Sequence, residues 1–404
     1  MRDNFGRILL SLASAGLLSL FVSAVRAEEK SSPVPEQASP VPDQASEELI
    51  ARLVKQLGHN DCRLREVASA QLAKLALASL PALTAALQHP DLEVRIRAKQ
   101  LIVSILAEDF QRRLREFAAD VDDARGLDLP YWKQFKQSVG HDAAARKLFV
   151  AMQQEEAGLL EAAAESPQAA AEALRLRFVQ MQARPARLPV PNRKGLTYES
   201  TTALILVASD PDVNLETLAG YLASLPSLPA FRQALVDGGA DGHARRVFTR
   251  WLAHPAAEKN RTLAINNMAV ANQLNMPESI TPALQILASQ MPVPYYRQEA
   301  ILIIGKYGTR ERLSTLEPFL QDTTKCGQMQ IVNGAPQPSD IQIRDVALAA
   351  MIHLSGQNPK DFGFEKIQTN EQTLFNVQTL GFADNEQRDT ALKKWQDWSA
   401  AQKK

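Results

Sequence analysis

The chain has 404 residues, with 45 basic and 45 acidic side chains and a hydrophobic share of 45%. This length suffices for more than one packed core, and the balanced charge argues against nucleic-acid binding, which needs a basic excess or stripe. The two cysteines, Cys62 and Cys326, exclude a fold built on a disulfide framework. Two free thiols are favoured, although pairing of the two stays open, and no Cys/His spacing typical of zinc sites occurs.

Residues 1–27 have the pattern of a secretory signal peptide. Arg2 and Arg7 precede the apolar run ILLSLASAGLLSLFVSAV, and the small-residue sequence VRA follows as a cleavage site. We expect cleavage before Glu28, with export to the periplasm or beyond; the alternative is an uncleaved anchor, since the run approaches the length of a bilayer span. Cleavage leaves 42 basic and 44 acidic side chains, a formal charge of −2, and no further membrane span is expected.

Residues 28–47 are of low complexity. The heptapeptide SPVPEQA at 32–38 is followed directly by SPVPDQA at 39–45. Val-Pro pairs favour extended backbone, and so few apolar residues cannot build a core. The sequence predicts a Pro-rich disordered tether between the export signal and the folded part.

From residue 48 onwards, apolar residues recur at three- and four-residue spacing, which predicts amphipathic helices. Residues 57–75 and 87–105 align without a gap at an offset of 30. The matched pairs are Leu57/Leu87, His59/His89, Asp61/Asp91, Leu64/Val94, Arg65/Arg95, Ala68/Ala98, Leu72/Ile102 and Leu75/Ile105. We therefore assign residues 48–116 to N-terminal helical repeats.

The repeats share the motif Asp-x-x-apolar-Arg-x-x-apolar, which returns at 142–149, 241–248 and 340–347. Asp is predicted to cap a helix N-terminus, and the Arg four residues later is predicted to meet a cap carboxylate. A variant at 293–300 has Pro294, which suits a first helical turn. The structural repeat positions are Asp61, Arg65, Asp91, Arg95, Asp340 and Arg344.

This motif at the start of the second helix of a pair resembles the HEAT and armadillo-type repeat families. The segment LPALTAALQHPDLEVRIRA, residues 80–98, carries the resemblance most clearly, and it extends over 53–106 and 292–354. The whole chain is also similar to exported, uncharacterised HEAT-like proteins of planctomycete bacteria. The resemblance implies an all-α superhelix, or solenoid, with Asp and Arg contacts in its turns and binding along one face; it implies no activity.

The rest of the chain is divided by its prolines. Residues 117–184 are predicted to be a helical segment, and 185–199 a Pro-rich linker. Residues 200–404 are predicted to be a C-terminal helical repeat region that ends in a helix at 386–402.

One long inter-helix loop is expected in the C-terminal region. Residues 313–321 and 340–347 are predicted to be the two helices of one pair, which leaves 323–339 as an insertion. Asn333-Gly334 favours a β-hairpin here, but the repeat alignment leads us to place a helix start at Asp340 instead. The insertion is either a tolerated loop or a binding loop. Its candidate binding residues are Cys326, Met329, Ile331, Asn333 and Gly334.

No catalytic or metal-binding pattern is found. The six histidines show no metal-site spacing, and residues 210–221 lack the Gly and Glu of a calcium loop. The Gly-rich stretch 237–246 is interpreted as a turn, with an anion site as the alternative. Glu155, Glu156 and Glu161 are interpreted as surface charges on a helix.

Two functions follow from these patterns. The first is an exported, non-catalytic scaffold that binds proteins or components of the cell envelope and needs no cofactor. The alternative is an enzyme or a cofactor-handling, lyase-like protein on the same repeats, since a fold does not fix a function. A deep pocket with converging polar groups would favour the enzyme, and a broad groove without one the scaffold.

Overall fold

The computed structural model describes residues 44–120, 124–182, 196–215, 217–239, 242–289, 291, 293–329 and 340–402. These residues are mostly helical, as the all-α prediction requires, with only two short antiparallel sheets among them. The predicted signal peptide, most of the predicted tether and residues 185–195 of the predicted linker lie outside this part. The first helix begins at Gln44, so the last four residues of the predicted tether, 44–47, are helical.

The α-helices of the described residues, in chain order, are α1 Gln44–Gln56, α2 Cys62–Lys74, α3 Leu80–Ala86, α4 Leu92–Ala119, α5 Trp132–Ser138, α6 Ala143–Glu165, α7 Pro167–Gln182, α8 Tyr198–Ala208, α9 Ala219–Leu222, α10 Pro229–Asp237, α11 His243–Leu252, α12 Ala256–Lys259, α13 Arg261–Gln273, α14 Ile280–Ala288, α15 Pro294–Tyr307, α16 Leu313–Leu316, α17 Ile343–Leu354 and α18 Asn385–Gln402. Strands β1 Lys325–Gln328 and β2 Asp340–Gln342 pair with each other, as do β3 Thr369–Asn370 and β4 Leu374–Phe375.

The chain forms two compact units. Unit 1 runs to Leu129 and includes Asp142–Val150, and unit 2 consists of Pro130–His141 and the chain from Ala151 onwards. Two of the segment boundaries predicted from the sequence fall inside helices. Residue 117 falls inside α4, and residues 198 and 199 of the predicted linker begin α8, which Thr197 caps by accepting the amide N–H of Ser200.

The N-terminal repeats in unit 1 have the predicted helix caps. Asp61 Oδ1 accepts the amide N–H of Arg63 at 2.8 Å, and Asp91 Oδ1 accepts that of Glu93 at 2.8 Å. This contact satisfies one of the orphan amides of a helix start. Asp142, the third such residue in unit 1, accepts the amide N–H of Ala145.

Arg65 and Arg95, the motif arginines of the two aligned repeats, donate to backbone carbonyls and not to the predicted cap carboxylates. Arg65 Nη1 donates to the carbonyl oxygens of His59 and Asn60 at 2.8 and 3.1 Å. Arg95 Nη1 donates to those of His89 and Pro90 at 2.7 and 2.9 Å. These carbonyls lie in the turn after the preceding helix, where unpaired acceptors attract a cation.

The two histidines of these turns, His59 and His89, make the same contact in each repeat. His59 Nδ1 accepts the amide N–H of Asp61 at 2.9 Å, and His89 Nδ1 accepts that of Asp91 at 3.1 Å. Their recurrence therefore follows from the structure of the turn. The two repeats stack closely, since a Cβ on Gly58 would lie 2.8 Å from Val94 Cγ2.

Unit 2 is held by helices that are buried on nearly every side. Every residue of α8 from Ser200 to Ala208 is buried, as are Ala300–Gly305 of α15 and Asp345–Ile352 of α17. These stretches of the three helices lack a solvent-exposed face, because they pack between neighbouring helices. Pro294 occupies the first turn of α15, as predicted.

Glu156 corrects the prediction that it is a surface charge on a helix. Its side chain is 5% exposed, and its backbone has non-helical angles (φ −135°, ψ 37°) inside α6. Arg177 Nε donates to its two carboxylate oxygens at 2.9 and 3.0 Å, and the Ser200 hydroxyl also donates to it. The carboxylate thus links α6, α7 and α8 within unit 2.

No single helix of the described residues is long and apolar enough to cross a membrane. The bent pair Cys62–Lys74 and Ala76–Ala86 passes that test together, by length and composition only, with a bend of 116°.

Candidate functional site

The predicted insertion begins as a β-hairpin, and the helix start predicted at Asp340 is wrong. Strands Lys325–Gln328 and Asp340–Gln342 pair antiparallel with a register shift between Lys325 and Gly327. We call these two strands the hairpin stem. Helix α17 begins after them at Ile343, with Gln342 as its N-cap. Of the predicted loop residues, Cys326 and Met329 are described, whereas Ile331, Asn333 and Gly334 lie outside the described residues.

Other groups supply the acceptors that an Asp cap would provide. The amide N–H of Ile343 donates to the carbonyl of Thr324 at 3.0 Å, and that of Arg344 to the carbonyl of Asp322 at 2.9 Å. The amide N–H of Gln342 donates to Asp345 Oδ2 at 2.9 Å, which is one half of a capping box. The first turn of α17 is therefore satisfied without Asp340, and this frees Asp340 to lie in a strand.

The predicted repeat positions Asp340 and Arg344 do not contact each other. Asp340 Oδ1 lies 2.6 Å from Lys325 Nζ on the opposite strand, and both side chains are half-exposed. Arg344 Nε donates to Gln342 Oε1 at 2.6 Å, and its guanidinium lies 3.7 Å from Asp389. Exposed pairs of this kind contribute about 0–1 kcal/mol.

A buried ion pair fastens the hairpin stem to the last helix. Arg388 Nε of α18 donates to Asp345 Oδ1 at 2.7 Å, and the two side chains are 4% and 1% exposed. Arg388 Nη2 also donates to the carbonyl of Asp340 at 2.9 Å. Burial raises the pKa of the Asp345 carboxyl, while Arg388 and the amide of Gln342 act in the opposite direction. One guanidinium thus holds β2, α17 and α18 together.

Cys326 lies inside the stem as a protonated thiol. Its Sγ donates to the carbonyl of Ile341 at 3.5 Å, and the residue is half-buried. Burial, with the charges of Asp345 and Asp322, raises the pKa of this thiol to about 12. Met329 directly follows strand β1 and packs against Gly381. A Cβ on Gly381 would lie 2.5 Å from Met329 Cγ. Both side chains are half-buried against the fold.

The start of α15 is joined to the hairpin stem through Asp322. Arg297 of α15 forms an ion pair with Asp322 Oδ2, and Asp322 Oδ1 accepts the amide N–H of Thr324 at 3.0 Å. The Asp322 carbonyl in turn accepts the amide N–H of Arg344. A rigid set of contacts therefore runs from α15 into both strands.

The start of α15 also exposes apolar and aromatic side chains. Val293 is 44% exposed and Tyr295 is 56% exposed, and the rings of Tyr295 and Tyr296 meet edge to face with centroids 5.4 Å apart. Glu299 follows one turn after Tyr295. We call Val293, Tyr295, Tyr296 and Glu299 the α15 face.

Glu299 is half-buried, and burial raises the pKa of its carboxyl. The pKa of the Tyr295 hydroxyl is raised mainly by the negative charge of Glu299. The Tyr295 hydroxyl is thus within electrostatic reach of the half-buried Glu299 carboxylate.

The rings of two histidines in unit 2 are held by neighbouring groups. His254 in unit 2 is buried, its Nδ1 accepts the amide N–H of Ala256 at 3.0 Å, and its Nε2 lies 3.1 Å from the Asp210 carbonyl. Both ring nitrogens are thus engaged by backbone, and burial lowers the pKa of the imidazole. His353 packs edge-on against Phe375. Among the described residues, no group of three or more His, Cys, Asp or Glu side chains could hold a metal ion.

Two surface clefts open on unit 2. One, of about 330 Å³, is lined by residues of α7 and of the segment 212–218, with Glu172, Arg175 and Asp212 among them. The other, of about 440 Å³, surrounds Glu258–Thr262 and Ser289. In the first cleft Arg175 forms an ion pair with Glu172 at 2.6 Å, so these two charges satisfy each other.

Sequence reasoning missed the α15 face and the Asp345–Arg388 pair. The signal for the first was present, because YY in the variant repeat VPYYRQEA places two tyrosines at a helix start in a chain with only six. The second carried no signal, since Arg388 lies 43 residues after Asp345 and outside any repeat.

The chain was compared with protein-family models, with curated proteins and with solved structures, and it matches none of them.

Proposed function

We propose that this protein is an exported solenoid of HEAT-like repeats that binds a protein or another component of the cell envelope and catalyses no reaction. The signal-peptide pattern of residues 1–27 supports export. The equivalent caps and arginine contacts of Asp61/Arg65 and Asp91/Arg95 support the repeat architecture. In such a stack each repeat contacts its neighbours and leaves a long surface for binding.

One observation carries the binding proposal: the α15 face exposes Val293 and Tyr295 beside a stem that ion pairs hold in place. Aromatic side chains are enriched in the centres of protein interfaces. A surface that is already rigid loses little conformational entropy on binding. Exposed aromatic residues on a fixed support are therefore suited to docking a partner.

An enzyme would be favoured by a deep pocket with converging polar groups and shifted pKa values. The two clefts described above are open to solvent, and the Glu172–Arg175 pair in one of them is already satisfied. The buried His254 has both nitrogens occupied by backbone groups. These features give more support to binding than to catalysis.

The proposal is tested by affinity capture with the full mature chain, residues 28–404, from an envelope extract of the native host. Three baits are compared: the wild type, a Val293→Ser/Tyr295→Ser variant, and a matched Leu92→Ser/Ile96→Ser control. Leu92 and Ile96 are exposed to a similar degree in unit 1. We expect the wild type and the control to recover the same partner, and the α15 variant to lose most of it.

Two results would contradict the proposal. One is a wild-type bait that recovers no reproducible partner while a small molecule raises its melting temperature. The other is recovery that falls equally in the α15 variant and in the control.

A further inference from the structure

We propose that the α15 face binds a lysine or arginine side chain of the protein partner, with the Glu299 carboxylate as counter-ion and the Tyr295 and Tyr296 rings as aromatic walls. This inference rests on the proposed function and names the chemistry of the partner at that surface.

The first argument is geometric. Tyr295 and Glu299 are four residues apart on α15, so they lie on the same face of the helix, one turn from each other. The Tyr296 ring stands edge to face against that of Tyr295, at an interplanar angle of 73°. Tyr295 is 56% exposed, and an exposed aromatic ring with a carboxylate one turn away offers two groups that attract a cation.

The second argument is that Glu299 lacks the counter-ion that several other acidic side chains of unit 2 have. Within unit 2, Asp322 is paired with Arg297, Asp340 with Lys325, Asp345 with Arg388 and Glu278 with Arg245. Glu299 forms no ion pair or hydrogen bond with any residue of the described part of the chain. A half-buried carboxylate without a counter-ion is costly, and a cation from a partner would relieve that cost.

The third argument is that the cations of α15 itself are committed elsewhere. Arg297 is held by Asp322, and Lys306 donates to Asn275 Oδ1 at 3.0 Å and to the Gln372 carbonyl at 3.2 Å. Turning either side chain towards Glu299 would break these contacts. Neither cation of α15 is therefore available to neutralise Glu299, which leaves the carboxylate open to a cation of a partner.

Arginine and lysine fit this site for complementary reasons. Both cations are attracted to the electron-rich face of a tyrosine ring. Arginine can also donate two hydrogen bonds to one carboxylate, so we expect it to bind more tightly than lysine. Val293 adds an exposed apolar surface for the aliphatic stem of either side chain.

The test is binding of a fluorescent peptide, Gly-Ser-Arg-Ser-Gly, to the mature chain, measured by anisotropy. Wild type is compared with Glu299→Gln, Tyr295→Ala and a matched Glu155→Gln control, which removes the same charge from an exposed position of unit 2. We expect Glu299→Gln to weaken binding about tenfold, because it removes the counter-ion of a close charge pair. Tyr295→Ala should weaken it about threefold, and Glu155→Gln should leave it unchanged.

A second peptide with citrulline in place of arginine keeps the shape and removes the charge. We expect it to bind at least tenfold more weakly to wild type, and equally to wild type and Glu299→Gln. Equal affinity of Glu299→Gln and Glu155→Gln for the arginine peptide would overturn the inference, as would undiminished binding of the citrulline peptide or no measurable binding of the arginine peptide.

The capture experiment separates this inference from the proposed function. If the Val293→Ser/Tyr295→Ser bait loses its partner but Glu299→Gln keeps it, the binding function stands and the cation site fails. If all baits retain the same partner, the partner docks elsewhere: the α15 face and its cation site fail, whereas the binding function stands.

Discussion

Asp91 and Asp340 occupy the same position of the same sequence motif, but the structure uses them differently. Asp91 caps α4 in unit 1 by accepting the amide N–H of Glu93. Asp340 lies in strand β2 of unit 2 and pairs with Lys325 across the hairpin stem. At the start of α17 the acceptors are the carbonyls of Asp322 and Thr324 and the side chains of Gln342 and Asp345. The Asp of the motif can therefore recur in the sequence although other residues cap the helix that follows it.

The motif arginines differ between the two units in the same way. In unit 1, Arg65 and Arg95 donate to carbonyls of the turn before their own helix, and Arg65 Nε also lies 3.4 Å from Glu93 Oε1. In unit 2, Arg245 reaches Glu278 and Arg297 reaches Asp322, both of which are carboxylates later in the chain. The local repeat thus fixes the cation at a helix start, while the tertiary structure selects its acceptor.

The largest expected difference between the two units is in the alkylation rate of their cysteines. Cys62 in unit 1 is exposed, whereas burial raises the pKa of Cys326 in unit 2 to about 12 from the usual 9.0. Because the thiolate is the reactive form, this shift alone should slow alkylation of Cys326 about a thousandfold. We expect mass spectrometry after iodoacetamide treatment at pH 8 to find Cys62 modified and Cys326 modified only in denaturant. Equal rates in the folded protein would contradict the buried position of Cys326.

Breaking the buried Asp345–Arg388 ion pair should lower the free energy of unfolding more than breaking an exposed pair. Arg388→Ala leaves the Asp345 carboxylate buried without its cation, and the expected loss is about 3–5 kcal/mol, measured by urea denaturation. The matched variant in unit 1 is Arg112→Ala, which breaks exposed pairs with Asp109 and Glu116. That change should cost less than about 1 kcal/mol. Similar losses in the two variants would show that Arg388 does not fasten the stem.

Glu93 and Glu299 should respond to neutralisation with opposite signs. Glu93 in unit 1 is held by Arg97 at 2.6 Å, so Glu93→Gln removes a favourable contact and should lower the melting temperature slightly. Burial raises the folded pKa of Glu299 above its usual 4.5, and its contribution to stability is therefore lost as pH rises through that folded pKa. At neutral pH Glu299→Gln should raise the melting temperature, and the gain should vanish below pH 4.5. A lower melting temperature at pH 7.5 would show that Glu299 already has a counter-ion.

The helix starts could be predicted from sequence where the cap is local. Asp61, Asp91 and Pro294 act within their own turn, and two or three neighbouring residues determine their role. The last helix was expected from residue 386 and begins at Asn385. Amphipathic spacing likewise predicted the mostly helical fold.

The failures involve contacts between residues far apart in sequence. The hairpin stem joins Lys325 to Gln342, and the partners that bury Glu156 lie 21 and 44 residues away from it. Helical spacing at Glu156 cannot reveal Arg177 or Ser200. At Asp340, the repeat alignment predicted a helix start where the structure has strand β2.

The difference between Asp91 and Asp340 is tested most directly by hydrogen–deuterium exchange at the two helix starts. Asp91→Ala removes the acceptor of the Glu93 amide and should cost about 1 kcal/mol locally, which raises exchange at residues 92–95 about fivefold. Asp340→Ala removes only an exposed ion pair, so exchange at residues 343–346 should stay within about twofold of wild type. Equal acceleration at both helix starts would mean that Asp340 caps α17 after all, and would contradict the account.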